Sequence, residues 1–272
     1  MRTTTRRNKA KLGTTRSRET VRLQDTKIEV ERQGKGAPLL LLQSEEAYEA
    51  NLALVDELAK RREVIIPWAP GYGNSTLPDS VGCIDDISYI YLDLLDRLDL
   101  TAVSVIGFSV GVWIAAEIAT KNCARLDRLV LVDPVGAKFG GPFDREIADI
   151  YFLPADEVTR LKFHDVALDP LADMSAFTRK EAMAVARHRE TTAKFCWEPY
   201  FHNPSLKNRL NRIQVETLVV WGAKDGFVRP KYGRAFAQRI PGATFVSIPK
   251  AGHYPHIEQR DIFLETVLAF LR

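Results

Sequence analysis

The chain has 272 residues, enough for one large core and a modest insertion. Hydrophobic residues at 46% and charged residues at 27% fit an ordinary folded globular protein and exclude a disordered, collagen-like or disulfide-scaffold chain. The net charge of +3 sits at the start: residues 1–20 carry seven Lys or Arg against Glu19 alone, and the remaining 31 basic and 34 acidic residues show no bias suited to nucleic acid.

Residues 1–19 are rich in Thr and Arg and almost free of apolar side chains, which predicts a disordered basic tail. No apolar run follows Arg6-Arg7, which argues against an export signal. Runs at 20–23 and 27–33 predict a hairpin that leads into the main sheet. Dense apolar runs at 39–42, 64–66, 103–106, 129–132, 218–221 and 245–248 suit parallel strands covered on both faces. Helical patterns fall between them, at 47–60, 85–98, 112–121, 230–240 and 260–271. This alternation predicts an α/β fold with a mostly parallel central sheet flanked by helices.

Between 133 and 218 the alternation stops, and 144–152, 155–163, 179–195 and 205–213 read as short helices. The expected organisation is therefore a tail at 1–19, a core at 20–138 and 214–272, and a helical insertion at 139–213. The insertion is aromatic, and most of its rings are expected to serve its own small core. No segment is long and apolar enough to cross a membrane. Three widely spaced cysteines, Cys83, Cys123 and Cys196, suit a reducing cytoplasm.

The chemistry-bearing motif is Gly107-Phe108-Ser109-Val110-Gly111. It follows the apolar run at 103–106 and precedes a helical one, which places Ser109 at a sharp strand-to-helix turn. Such a turn lifts the hydroxyl clear of the strand, and the N-terminal end of the new helix faces the place where an oxyanion forms. A serine hydroxyl needs a base, and the base needs an orienting acid. Asp225 follows the strand ending Val219-Val220-Trp221-Gly222, and His253 follows the strand ending Val246-Ser247-Ile248-Pro249. In an open parallel sheet such strand ends share one rim, where the three residues can meet. Asp133, after the strand at 129–132, is the rival acid, but its Pro134-Val135 continuation reads as the chain's exit into the insertion. His256 lies three residues past His253 and reads as a packing residue, since no further ligand is spaced for a metal.

The elbow at Ser109, the Trp221-Gly222-Ala223-Lys224-Asp225 segment and the Gly252-His253 segment, in that order, resemble the α/β-hydrolase fold family. Pro70-Gly71-Tyr72-Gly73-Asn74-Ser75 and Leu129-Val130-Leu131-Val132-Asp133-Pro134 extend the likeness. The resemblance implies a triad of Ser109, His253 and Asp225, an insertion that acts as a cap, and an oxyanion hole formed by the backbone N–H groups of Val110 and Glu45. The family's His-Gly after its third strand is replaced here by Gln43-Ser44. Ser44 lacks glycine's freedom at positive φ, and the Glu45 carboxylate has to point away from a developing oxyanion. Gln43, Ser44, Phe108, Trp197 and Tyr254 are assigned to substrate binding.

The expected function is hydrolysis of a small to medium apolar ester, lactone, thioester or activated C–C bond through an acyl-enzyme. A ligand-binding, receptor-like protein or a biosynthetic acyltransferase of the same fold is the alternative. No cofactor and no metal are implied. The expected partner is a small-molecule substrate rather than nucleic acid or membrane, for a monomer or homodimer.

Overall fold

The computed structural model describes residues 16–141 and 143–272, apart from the side chains of residues 50 and 51. Eight strands form one sheet: β1 (Ser17–Leu23), β2 (Thr26–Gln33), β3 (Pro38–Leu42), β4 (Glu63–Pro67), β5 (Val103–Phe108), β6 (Leu126–Val132), β7 (Glu216–Gly222) and β8 (Thr244–Ile248). Their order is β1-β2-β4-β3-β5-β6-β7-β8. β2 pairs antiparallel with both β1 and β4, and every other pairing is parallel.

Period-2 alternation splits the strand side chains between two cores. Leu40, Leu42, Val103, Val105, Leu129, Leu131, Val219 and Trp221 enter one core with α2 (Ile84–Arg97), α3 (Val110–Lys121) and α6 (Pro230–Gln238). Leu39, Leu41, Ile106, Phe108, Val130, Val132, Leu218 and Val220 enter the other, against α1 (Ala53–Ala59) and α8 (Arg260–Phe270). Covering both faces is what the unbroken apolar runs require. A short helix, α7 (Pro255–Glu258), follows β8.

Three expectations are corrected. β1 starts at Ser17, inside the predicted tail, whose residues 1–15 lie outside the described residues. Cross-strand ion pairs take the place of apolar burial there: Arg18 Nη2 lies 2.6 Å from Glu31 and Arg32 Nε 2.8 Å from Glu19. Hydropathy does not register such pairs. The expected helix at 47–60 is interrupted, because Leu52 is extended between a 3₁₀ turn (Tyr48–Asn51) and α1.

The third correction concerns the segment between β6 and β7. It contains α4 (Ala155–Lys162), α5 (Arg179–Cys196) and 3₁₀ turns at Val166–Leu168, Leu206–Asn208 and Leu210–Arg212. Residues 144–152 form no helix. Ile147 makes an antiparallel bridge to Val228, Ala148 N–H donates to Phe227 O, and Tyr200 Oη accepts from Ile150 N–H and donates to Ala148 O. Tertiary partners thus claim the backbone groups that a helix would have used. α5 does start where its sequence says, on a capping box in which Thr178 and Glu181 exchange hydrogen bonds.

Candidate active site

The turn from β5 into α3 is tight enough to require both of its glycines. A Cβ on Gly111 would stand 2.3 Å from Leu42 O, and one on Gly107 would stand 2.7 Å from Gly111 O. Ser109 between them takes φ 48° and ψ −110°, a conformation that a non-glycine residue adopts only when its surroundings impose it. Its N–H donates to Val132 O at 3.0 Å. Val110 is the first residue of α3, and among the described residues its N–H has no protein acceptor.

The ends of β7 and β8 bring Asp225 and His253 to the same rim. His253 Nε2 lies 2.8 Å from Ser109 Oγ, and His253 Nδ1 lies 2.7 Å from Asp225 Oδ2. Asp225 Oδ1 accepts from Val228 N–H at 2.9 Å, which fixes the carboxylate plane. Ser109, His253 and Asp225 are 1%, 1% and 4% exposed, so the row is shielded from bulk water. Chemically it can accept the serine proton on Nε2 and stabilise the imidazolium from the Nδ1 side.

Asp133 sits beside this row without joining it. It accepts from Gly222 N–H at 3.0 Å, and its ligand-type oxygen, with those of Asp225 and His253, falls in a cluster no wider than 4.8 Å. Burial first, and then the neighbouring Asp225, push the Asp133 carboxyl well above its ordinary value. Both effects favour the protonated form of Asp133.

The turn after β3 is held by side chains. Ser44 N–H and Oγ both donate to Glu49 Oε2, at 3.0 and 3.2 Å. Glu49 in turn lies 3.2 Å from His256 Nε2, and the His256 ring packs on Phe108 with centroids 4.2 Å apart. The left-handed residue of this turn is Ala47, at φ 56°, and Ser44 is not among the residues with positive φ. The expected lack of glycine at position 44 therefore leaves no strain there. The Glu45 N–H, like that of Val110, has no protein acceptor among the described residues.

The Glu45 carboxylate is engaged by groups other than the serine. It accepts from Lys162 Nζ at 2.6 Å and from Tyr254 Oη at 2.7 Å. Burial alone would raise its pKa, but Lys162, His253 and the two hydrogen bonds outweigh that and bring it down to about 2. Burial likewise opposes the Lys162 ammonium, yet Glu45 and Glu46 leave its pKa raised.

Lys162 ends α4, and the carbonyls of that last turn reach the loops that carry Asp225 and His253. Lys162 O accepts from His253 N–H at 2.7 Å, and Leu161 O accepts from Gly226 N–H at 2.9 Å and Phe227 N–H at 3.1 Å. No pattern in the sequence marks this role, because a lysine in a last helical turn reads as an ordinary partner for the helix dipole. Glu49 and Thr192 were equally silent.

Two hollows flank the turn. A narrow cavity of about 20 Å³ is lined by Gln43, Ser44, Tyr72, Val110, Phe195 and Cys196, among others. Gln43 Oε1 is buried there without a donor. A wider hollow of about 690 Å³ is lined by Glu45, Glu46, Tyr151, Lys162 and Arg189, among others. Thr192 lines both.

Of the residues assigned to substrate binding, Gln43 and Ser44 face the narrow cavity, and Tyr254 reaches Glu45. Phe108 lies under the sheet rim against His256 and Phe263 and lines neither hollow. Trp197 is 58% exposed, packs edge-on to Tyr151 and lines open surface hollows remote from the triad residues. The structure does not bring these two rings to the site, since strand alternation turns Phe108 inward and the end of α5 turns Trp197 outward.

Residues 41–259 match the family model described as alpha/beta hydrolase fold. The chain is 28% identical over 221 residues to the 2-hydroxy-6-oxononadienedioate/2-hydroxy-6-oxononatrienedioate hydrolase of Escherichia coli (strain K12), covering 76% of each chain. It is 30% identical over 224 residues to the dihydrolipoyllysine-residue acetyltransferase component of the acetoin cleaving system of Pseudomonas putida, covering 79% of this chain but 58% of that relative. Among solved structures, the serine hydrolase CCSP0084 from Cycloclasticus zankles superposes with a TM-score of 0.79 at 19% identity, covering 94% of this chain and 98% of that one. At that identity the superposition speaks for the fold alone.

Proposed function

The chain belongs to the α/β-hydrolase fold family, and from that premise we propose that it is a serine hydrolase of small to medium, largely apolar esters, lactones, thioesters or activated C–C bonds. The observation that carries this reading is the unbroken row Ser109 Oγ–His253 Nε2 and His253 Nδ1–Asp225 Oδ2, with its serine held at positive φ. Ser109 Oγ attacks the carbonyl while its proton moves to His253 Nε2. Asp225 keeps the Nδ1 proton in place and balances the imidazolium. The oxyanion is met by the N–H groups of Val110 and Glu45, which have no other acceptor among the described residues. His253 then protonates the leaving group, and a water that it deprotonates releases the acid from Ser109. The segment between β6 and β7 acts as the cap, with Cys196 and Phe195 of α5 walling the narrow cavity. Free Cys83, Cys123 and Cys196 suit a cytoplasmic setting.

The test is labelling with a fluorophosphonate, which forms a covalent adduct only with an activated serine. The intact protein is expected to label and Ser109→Ala to lose the label entirely. A label that survives Ser109→Ala, or never forms on the folded protein, overturns the reading.

An acyltransferase reading has one observation in its favour, the likeness to an acetyltransferase component. Both reactions pass through the same acyl-enzyme. Product analysis with and without an alcohol acceptor separates them.

A further inference from the structure

The wide hollow on the Glu45 side of the turn contains charged groups that the proposed reaction does not use. Lys162 and Glu45 face each other there, 3% and 2% exposed. An ammonium so deeply buried is costly unless a counter-charge is fixed beside it. Such a cation is also what a site needs in order to seize a substrate carboxylate. It lies near the chemistry: Lys162 Nζ stands 5.1 Å from the Phe227 ring centroid, and that ring lies 4.8 Å from the His253 ring. Glu45 is closer still, since its own N–H is one of the proposed oxyanion donors.

The charges of this hollow are matched within the protein. Lys162 pairs with Glu45 at 2.6 Å, Arg189 with Glu46 at 3.5 Å and Arg160 with Asp156 at 2.6 Å. Asp169, also on the wall, accepts from Tyr48 Oη and Thr159 Oγ1. Every basic residue lining the hollow therefore already has an acidic partner, and one acid is left over. The second oxygen of Glu45 is buried without any donor among the described residues. An anionic substrate arriving here meets a cation that is already neutralised, with a carboxylate beside it in a site of low dielectric.

We propose that Glu45 is an internal carboxylate seated where a substrate carboxylate would dock on Lys162, so that the site is set for neutral substrates. This rests on the hydrolase reading and narrows it. The 2-hydroxy-6-oxononadienedioate hydrolase of E. coli is named for a substrate with two carboxylates, and on this account the present chain takes an uncharged one.

The experiment compares kcat/KM for two esters of equal acyl length, 4-nitrophenyl valerate and the 4-nitrophenyl monoester of glutaric acid. The unaltered protein is expected to favour the neutral ester. Glu45→Gln keeps the shape of the side chain and unmasks Lys162, and the ratio is expected to move toward the anionic ester by roughly tenfold or more, the worth of a hydrogen bond to a charged group. Lys162→Met leaves Glu45 without its cation, and the ratio is expected to move the other way. Because each ratio is taken within one protein, a general loss of rate does not obscure it. If Glu45→Gln does not fold, the Lys162→Met ratio decides the matter alone. A preference for the anionic ester in the unaltered protein, or ratios that do not move in the folded variants, overturns the inference while leaving the hydrolase reading intact. Turnover of neither ester by the unaltered protein overturns both.

Discussion

The elbow around Ser109 and the turn after β3 face one another across the place where the oxyanion would form, but they are built differently. The elbow is made of backbone. Two glycines let α3 approach β3 and β5, Ser109 is held at positive φ, and its N–H is tied to Val132 O. The turn is made of side-chain charge. Glu49 gathers the N–H and hydroxyl of Ser44 with the His256 ring, and Lys162 and Tyr254 draw the Glu45 carboxylate aside. The two proposed oxyanion donors thus answer to different perturbations: the elbow to volume, the turn to protons.

Gly111→Ala is the sharpest way to break the first half of that contrast. The added methyl would meet the Leu42 and Gln43 carbonyl oxygens at 2.3 and 2.7 Å, neither of which is the free end of a side chain. We expect a loss of about 3 kcal/mol or more in stability, measured by urea unfolding, together with loss of fluorophosphonate labelling. A variant as stable as the parent would mean that the elbow is not set by backbone contact.

Acid probes the second half. Glu45 is held at about 2 in the folded protein, below the ordinary glutamate value of 4.5. Its folded pKa is depressed, so its contribution is complete above the ordinary value and fades as pH falls from about 5 towards 2. That fading amounts to at most roughly 3 kcal/mol. Urea unfolding across that pH range should show it, and Glu45→Gln should flatten the acid limb. An unchanged limb in Glu45→Gln would take proton sensitivity away from the turn.

Glu49→Gln is the mildest of the three. It keeps an acceptor for Ser44 and removes the charge, so a loss of about 1–2 kcal/mol in stability is expected, with slower acylation in pre-steady-state bursts. Full acylation at reduced stability would show that the Glu45 N–H is aimed by something other than Glu49.

The same contrast explains what could be read from the sequence. The elbow is local: glycine, serine and glycine between an apolar strand and a helix occupy five consecutive residues. Asp225 and His253 follow strand ends, and the parallel sheet does the rest. The turn is non-local, because Lys162 reaches Glu45 from 117 residues away and Tyr254 from 209. Nothing within a window of sequence links such residues. β1 starts three residues before its apolar run because Arg18 and Arg32 pair with glutamates instead of burying apolar surface. Residues 144–152 carry helical spacing but give their backbone to Phe227 and Tyr200. Phe108 packs on His256 and Trp197 edge-on to Tyr151, side-chain directions that position in the sequence does not reveal.

The end of α4 carries a consequence for traffic. Its last two carbonyls bind the backbone N–H groups of Gly226, Phe227 and His253, the peptides that carry the acid and the base. Lifting this helix would therefore take the base loop apart, so the chain cannot open along α4 and remain assembled for chemistry. α5 is fastened otherwise: Arg187, Thr191 and Thr192 reach the carbonyls of Gly73, Ser75, Gly71 and Glu45 only through their side chains. Of the two helices, α4 is tied by its backbone to the loops that carry Asp225 and His253, and α5 meets the Gly71–Ser75 segment and Glu45 through side chains.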